Sequence, residues 1–297
     1  MAARPRRTER CKALRLACWN ADGVHGRMLE LEHFLNQHGV EIFLFSETFL
    51  NRGQAFRLAN YVCHCTDRLT AGSGTAILVR RDTVHYSVPV PGLTNLEVTA
   101  IPVILADKQV KILAPYFSPS RPLIGADLTA CFGGGFPVLV AGDLKVKHVE
   151  WNSRLNTFRG NPISDYANEN SCLIFGPVTP NTNPYNPSAT PDVLDIVITK
   201  DFSFPVYLTS CSALSSDHPP VLIDTACRSS LQNLRDRPDF RRTDWAKFQS
   251  ILENQIPFDP ELHNRMAIDK CVENTGAVLR ALAACTHKCL RRVLLDH

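Results

Sequence analysis

The sequence predicts a mixed α/β domain followed by a helical tail, and three observations carry that prediction. Apolar runs of strand length recur from residue 14 to about residue 225. Several are apolar at nearly every position, as in strands buried on both faces. Segments with helical spacing lie between some of them. Beyond a charged, proline-containing stretch at 236–242 the strand pattern stops, and a long helical period runs through Ile268, Val272, Val278, Leu279 and Leu282.

Taken in order, residues 1–13 form a basic lead without the apolar centre of a secretion signal, read as disordered. Residues 14–19 form the first strand. Met28, Leu29, Leu31, Phe34 and Leu35 have helical spacing, which predicts a helix over 28–37. Residues 40–45 form a second strand. Gly72-Ser73-Gly74 is turn-like and introduces a third at 75–79. Further strands are expected at 96–105, 110–115, 138–141, 194–199, 207–210 and 221–223, with helices at 125–131 and 161–170. Thr243 is a good N-cap for a helix over 244–252, and residues 267–290 complete the tail. The expected organisation is therefore a lead at 1–13, a domain at 14–227, and a linker with helical tail at 228–297.

Composition narrows the classes. The chain has 297 residues, 44% hydrophobic and 21% charged, which excludes a mainly disordered protein. No stretch reaches the roughly 18–20 apolar residues of a membrane span. The net charge of +3 permits a nucleic-acid partner without pointing to one. The 11 cysteines argue against a secreted disulfide framework. Cys63-His64-Cys65 is too tightly spaced for zinc, and Cys285, His287 and Cys289 are irregular. P-loop, Gly-x-Gly-x-x-Gly and Gly-x-Ser-x-Gly motifs are absent.

Chemistry collects where strands end. The first strand runs into Trp19-Asn20-Ala21-Asp22-Gly23, the second into Ser46-Glu47-Thr48, and the strand at 138–141 into Gly142-Asp143. Asp195 lies inside an apolar strand, where an acid needs a partner. Ser216-Asp217-His218 offers one, since histidine pairs well with a carboxylate near neutral pH. Each element alone reads as a turn, a helix-start acid or a structural pair. Together, several carboxylates and an amide suit a hard divalent cation, and an Asp–His pair beside it suits phosphoryl chemistry.

Trp-Asn-Ala-Asp-Gly, Ser-Glu-Thr, Ala-Pro-Tyr, Ala-Gly-Asp, Leu-Asp-Ile-Val-Ile and Ser-Asp-His stand in the order found in the endonuclease/exonuclease/phosphatase superfamily. More narrowly, the chain resembles the endonuclease of jockey-type non-LTR retrotransposons from residue 14 nearly to its end. The resemblance implies a four-layer α/β sandwich of two packed mixed sheets flanked by helices. It implies nicking of double-stranded DNA with Mg²⁺, for which Mn²⁺ could substitute, leaving a 3′-hydroxyl that primes reverse transcription. Glu47 would be the main metal carboxylate, with Asp22 and, in some states, Asp217 adding contacts. Asn20 sits beside them. Tyr116 would contact the scissile phosphate and Asp143 would orient or deprotonate the attacking water. Asp195 would polarise His218, which would stabilise charge on the phosphate. Arg154 resembles a contact to DNA phosphate. Asn181 and Thr182 lie in 179–191, a DNA-facing hairpin in relatives or a plain loop here. The implied partners are duplex DNA and a reverse transcriptase module, the chain reading as an endonuclease fragment of a longer element protein. It is expected to be a monomer in the nucleus or cytoplasm, not secreted and without a membrane partner.

Three positions depart from the family pattern. Gly142-Asp143-Leu144-Lys145 has lysine where relatives have asparagine. Pro180-Asn181-Thr182-Asn183-Pro184 replaces Pro-Thr-His-Tyr-Pro, and Phe49 replaces histidine. Lys145 would draw phosphate but would also favour ionised Asp143 and pair with it, so reduced activity is expected. Two alternatives follow: a decayed DNA-binding remnant of a retroelement, and a hydrolase of small phosphoesters, against which the retrotransposon-like tail argues.

Overall fold

A computed structural model describes residues 13–51, 57–66, 74–88, 92–118, 121–186, 188–227, 237–239 and 243–255, together with 278, 285 and 287–289. The chain divides into two units, Met1–Gln232 and Asn233–His297. In the first unit, β1 (Arg15–Asn20), β2 (Ile42–Ser46), β3 (Tyr61–Thr66), β4 (Thr75–Arg80), β10 (Val206–Ser210) and β11 (Val221–Thr225) form one sheet in the order β10-β11-β1-β2-β4-β3. β5 (Leu96–Leu105), β6 (Lys108–Phe117), β7 (Val138–Asp143), β8 (Cys172–Phe175) and β9 (Asp195–Lys200) form a second in the order β5-β6-β7-β9-β8. Each sheet is mixed: β1 runs parallel to β2 and β6 parallel to β7, and the other pairs are antiparallel.

Strand alternation explains the layering. Successive side chains point to opposite faces, so an unbroken apolar run must be covered on both. Leu16, Cys18, Ile42 and Leu44 face Ile112, Ala114, Leu139, Ala141 and Val197 in a core between the sheets. Their neighbours Ala17, Trp19, Phe43 and Phe45 turn the other way, onto Leu31, Phe34 and Leu35 of α1 (Met28–His38). On the far side, Val138, Val140, Ile196 and Ile198 pack against α2 (Gly125–Phe132) and α3 (Asn161–Glu169). The order helix, sheet, sheet, helix is the sandwich that the resemblance implies.

Two strands of the first unit escape the sequence reading. β3 lies at a sheet edge and mixes polar with apolar residues, and β8, although apolar throughout, has only four residues. Cys63, His64 and Cys65 are consecutive residues of β3. In the second unit, α4 (Trp245–Gln255) begins one residue later than expected. Asp244 caps it, its Oδ1 accepting the Lys247 N–H at 3.0 Å, in place of Thr243. β12 (Arg237–Asp239) pairs with β13 (His287–Cys289), so strand replaces the expected linker and helix there. Most of the expected helix at 267–290, and the lead up to residue 12, lie outside the described residues. Among the described residues no helix is long and apolar enough to cross a membrane.

Candidate active site

The alternation that fills the core also delivers the site. The core-facing positions are Leu16 and Cys18 on β1, Ile42 and Leu44 on β2, Leu139 and Ala141 on β7, and Val197 on β9. Two residues onward on β1, β2 and β7, and two residues back on antiparallel β9, the same parity reaches Asn20, Ser46, Asp143 and Asp195. Register completes the arrangement: Asn20 lies beside Ser46, and Asp143 lies opposite Asp195. On β6 the parity of Ile112 and Ala114 continues to Tyr116.

Gly142 permits the close approach of the sheets. Its φ is +150°, and a Cβ there would lie 3.1 Å from Ser46 Oγ and 3.2 Å from Pro115 O. Ser46 Oγ donates to that carbonyl at 3.1 Å, joining the sheets.

Asp143 is completely buried. Its Oδ2 accepts from Asn20 Nδ2 at 2.8 Å and from Lys145 Nζ at 2.9 Å, and its Oδ1 accepts the Lys145 backbone N–H at 2.8 Å. Lys145 Nζ also lies 3.0 Å from Glu47 Oε1. His218 Nδ1 donates to Asp195 Oδ2 at 2.8 Å, while Nε2 lies 3.8 Å from Asp143 Oδ2. Burial opposes charge on His218, but Asp195 and Asp143 outweigh it and raise the imidazole pKa to about 9. Burial pushes Asp143 up, yet His218, Lys145 and Asn20 bring it below the usual carboxylate value. Tyr116 is pushed up to about 12 by burial and then by the Glu47 charge, so its phenol stays protonated. Side-chain exposure rises from 0% at Asp143 and 3% at His218 to 14% at Glu47 and 25% at Lys145. Lys145 is therefore the outermost of these groups.

Other expected residues are placed differently. Asp22 has its carboxylate 4.0 Å from Arg27, and its N–H donates to Asn20 Oδ1. The Asp217 carbonyl accepts the Asn183 N–H, and its carboxylate has no polar partner among the described residues. Arg154 is exposed, anchored by its N–H to Asp192 Oδ1 at 2.9 Å. Asn181 and Thr182 require correction as DNA contacts, because they are buried at 0% and 5% exposure. The Asn181 amide accepts the Leu194 N–H at 2.8 Å and donates to Asp195 O at 2.7 Å. Thr182 Oγ1 donates to Asp192 O. Both position the start of β9 and have no polar side-chain surface left for DNA.

Ser216, given no role beforehand, steadies the histidine, and Trp19 in turn holds Ser216. Ser216 Oγ accepts from Trp19 Nε1 at 2.8 Å and from the His218 N–H at 3.1 Å, and lies 2.9 Å from Asn20 O. The Ser-Asp-His motif contains that serine, but sequence does not reveal its partner on β1.

Glu47, Asp143 and Asn20 offer the oxygen ligands that a hard divalent cation prefers. As arranged, they do not fit one: the Lys145 ammonium lies between the facing carboxylate oxygens of Glu47 and Asp143. A divalent ion there would meet a like charge within contact distance.

The sequence pattern of the Endonuclease/Exonuclease/phosphatase family matches residues 17–218. The chain is 27% identical over 285 residues to the probable RNA-directed DNA polymerase from transposon BS of Drosophila melanogaster, covering 92% of this chain and 31% of that protein. It is 25% identical over 269 residues to the corresponding protein of transposon X-element from the same organism, covering 88% and 29%. It thus spans about a third of the length of these relatives. Among solved structures, the endonuclease domain of TRAS1, a telomere-specific non-LTR retrotransposon, superposes with a TM-score of 0.58 at 16% identity, covering 71% of this chain and 98% of that one. The catalytic domain of Xenopus laevis APE2 superposes with 0.56 at 16% identity, covering 74% and 94%.

Proposed function

The chain belongs to the Endonuclease/Exonuclease/phosphatase family, and on that premise we propose that it is an endonuclease module that nicks double-stranded DNA, held at a low rate by Lys145. The carrying observation is the convergence of Asn20, Tyr116, Asp143 and Asp195 with His218 at one mouth of the intersheet core. The sequence likeness to retrotransposon polymerases favours DNA over small phosphoesters.

Hydrolysis forms a bond from a water oxygen to phosphorus as the bond to the 3′ oxygen breaks, giving a 3′-hydroxyl and a 5′-phosphate. Ionised Asp143 is the group to take the water proton. Protonated His218, aimed by Asp195, faces the negative charge that develops on the phosphoryl oxygens. Tyr116 supplies a phenol donor and Arg154 an exposed cation for the DNA backbone. Oδ2 of Asp143 accepts from both Asn20 and Lys145, and Oδ1 accepts one backbone N–H, so the Lys145 ammonium weakens Asp143 as a base and its movement off Oδ2 restores that strength. Mg²⁺ dependence requires the same displacement.

The test is nicking of supercoiled plasmid in Mg²⁺ or EDTA. Lys145→Asn is expected to nick faster than the unaltered protein, and His218→Ala to lose about 10²- to 10³-fold. Equal rates for all three would sink the reading. The Lys145 bridge gives one specific reason for the second reading, a DNA-binding remnant, for which every form would bind duplex and none would nick.

A further inference from the structure

We infer that the Lys145 ammonium is the resident cation of this centre, occupying the place between Glu47 and Asp143 that excludes a divalent ion and equipping the chain to hold a DNA phosphodiester without one. The inference rests on the proposed DNA-directed function and concerns the same site. Three observations carry it.

The first is position. Nζ lies 3.0 Å from Glu47 Oε1 and 2.9 Å from Asp143 Oδ2, so one charge satisfies both carboxylates. The second is backbone geometry. Lys145 and Glu47 both have left-handed backbones, with φ of +52° and +53°, uncommon for residues of these types. The Lys145 N–H also closes a turn onto Asp143 Oδ1 at 2.8 Å. The main chain therefore starts the lysine side chain beside Asp143, and its rotamer carries Nζ to the two carboxylates. The third is access. Asp143 and His218 are buried, and Lys145 is the outermost of the interacting groups. An ammonium has three donors. Two are committed to Glu47 and Asp143, which leaves one for a phosphate oxygen arriving from solvent.

The experiment separates metal binding from catalysis. Mn²⁺ alone is titrated into the full chain and followed by the electron paramagnetic resonance of free Mn²⁺. The samples are the unaltered protein, Lys145→Asn, and Lys145→Asn combined with Glu47→Gln. Lys145→Asn should bind Mn²⁺ about 10- to 100-fold more tightly than the unaltered chain, and the added Glu47→Gln should abolish the gain. A fluorescent duplex, followed by anisotropy, should bind the unaltered chain equally in EDTA and in Mn²⁺, and bind Lys145→Asn more weakly in EDTA. Should Lys145→Asn fail to fold, nuclear magnetic resonance of the unaltered protein decides. The Lys145 Nζ–H signal, protected by its ion pairs, should persist unshifted in millimolar Mg²⁺. Equal Mn²⁺ affinity with and without Lys145, absence of binding in both, or displacement of the Nζ–H signal by Mg²⁺ each overturns the inference. A Lys145→Asn protein that gains Mn²⁺ but does not nick leaves the resident cation standing and removes the endonuclease reading.

Discussion

Asp143 and Asp195 are directly opposed across the β7–β9 ladder, an arrangement that repels when both are ionised. His218 relieves it by bonding one and approaching the other. In EDTA the His218 ring is expected to titrate near pH 9 rather than near its ordinary 6.5, read from its carbon-bound proton resonances. Because the folded value is the raised one, its stabilising contribution is complete below pH 6.5 and fades as pH rises through about 9. Asp195→Asn should return the titration toward 6.5; no movement would detach the histidine from its assigned partner. Asn181 acts through Asp195 rather than on DNA. Asn181→Ala strands buried backbone groups of β9 and should cost about 1–3 kcal/mol in urea unfolding, with duplex affinity unchanged under conditions where the protein stays folded.

At the scale of elements, β7 shows how a strand becomes an active-site edge. Gly142→Ala puts a Cβ against Ser46 and Pro115 in a backbone region that L side chains avoid. It should lower stability by about 1–3 kcal/mol, measured by thermal unfolding, and reduce nicking more than Leu139→Ala variants matched for stability. The same strand explains what could be read beforehand. Val138 to Ala141 is apolar throughout, so its burial on both faces and its polar end were visible in one dimension. Asn20, Asp195 and His218 were likewise legible, because polar residues at the ends of apolar runs stand out. Asn181 was not: an Asn- and Pro-rich stretch looks like a surface loop, and only tertiary packing buries its amide. The second carboxylate on Lys145 was hidden for a related reason, since Glu47 is brought to it by a left-handed backbone that no periodicity records.

For the whole molecule, the two units make separate predictions. The first contains every residue of the three hydrophobic clusters described, so a chain of residues 1–232 should unfold in one cooperative transition by circular dichroism. Its affinity for duplex should fall linearly on a log scale with salt, since a site that holds DNA through Lys145 and Arg154 releases counterions on binding. A slope indistinguishable from zero would remove the phosphate contacts.

The pairing of β1 with both β2 and β11 also imposes an order in time. Arg15 lies opposite Asp224, so β1 waits for one of the last strands of its unit before its second edge is covered. Until then Leu16 and Ala17 sit on an open sheet edge, the kind that recruits other chains, and the histidine of Ser216-Asp217-His218 has not been made. A nascent chain arrested before residue 218 therefore carries an unfinished sheet and no His218.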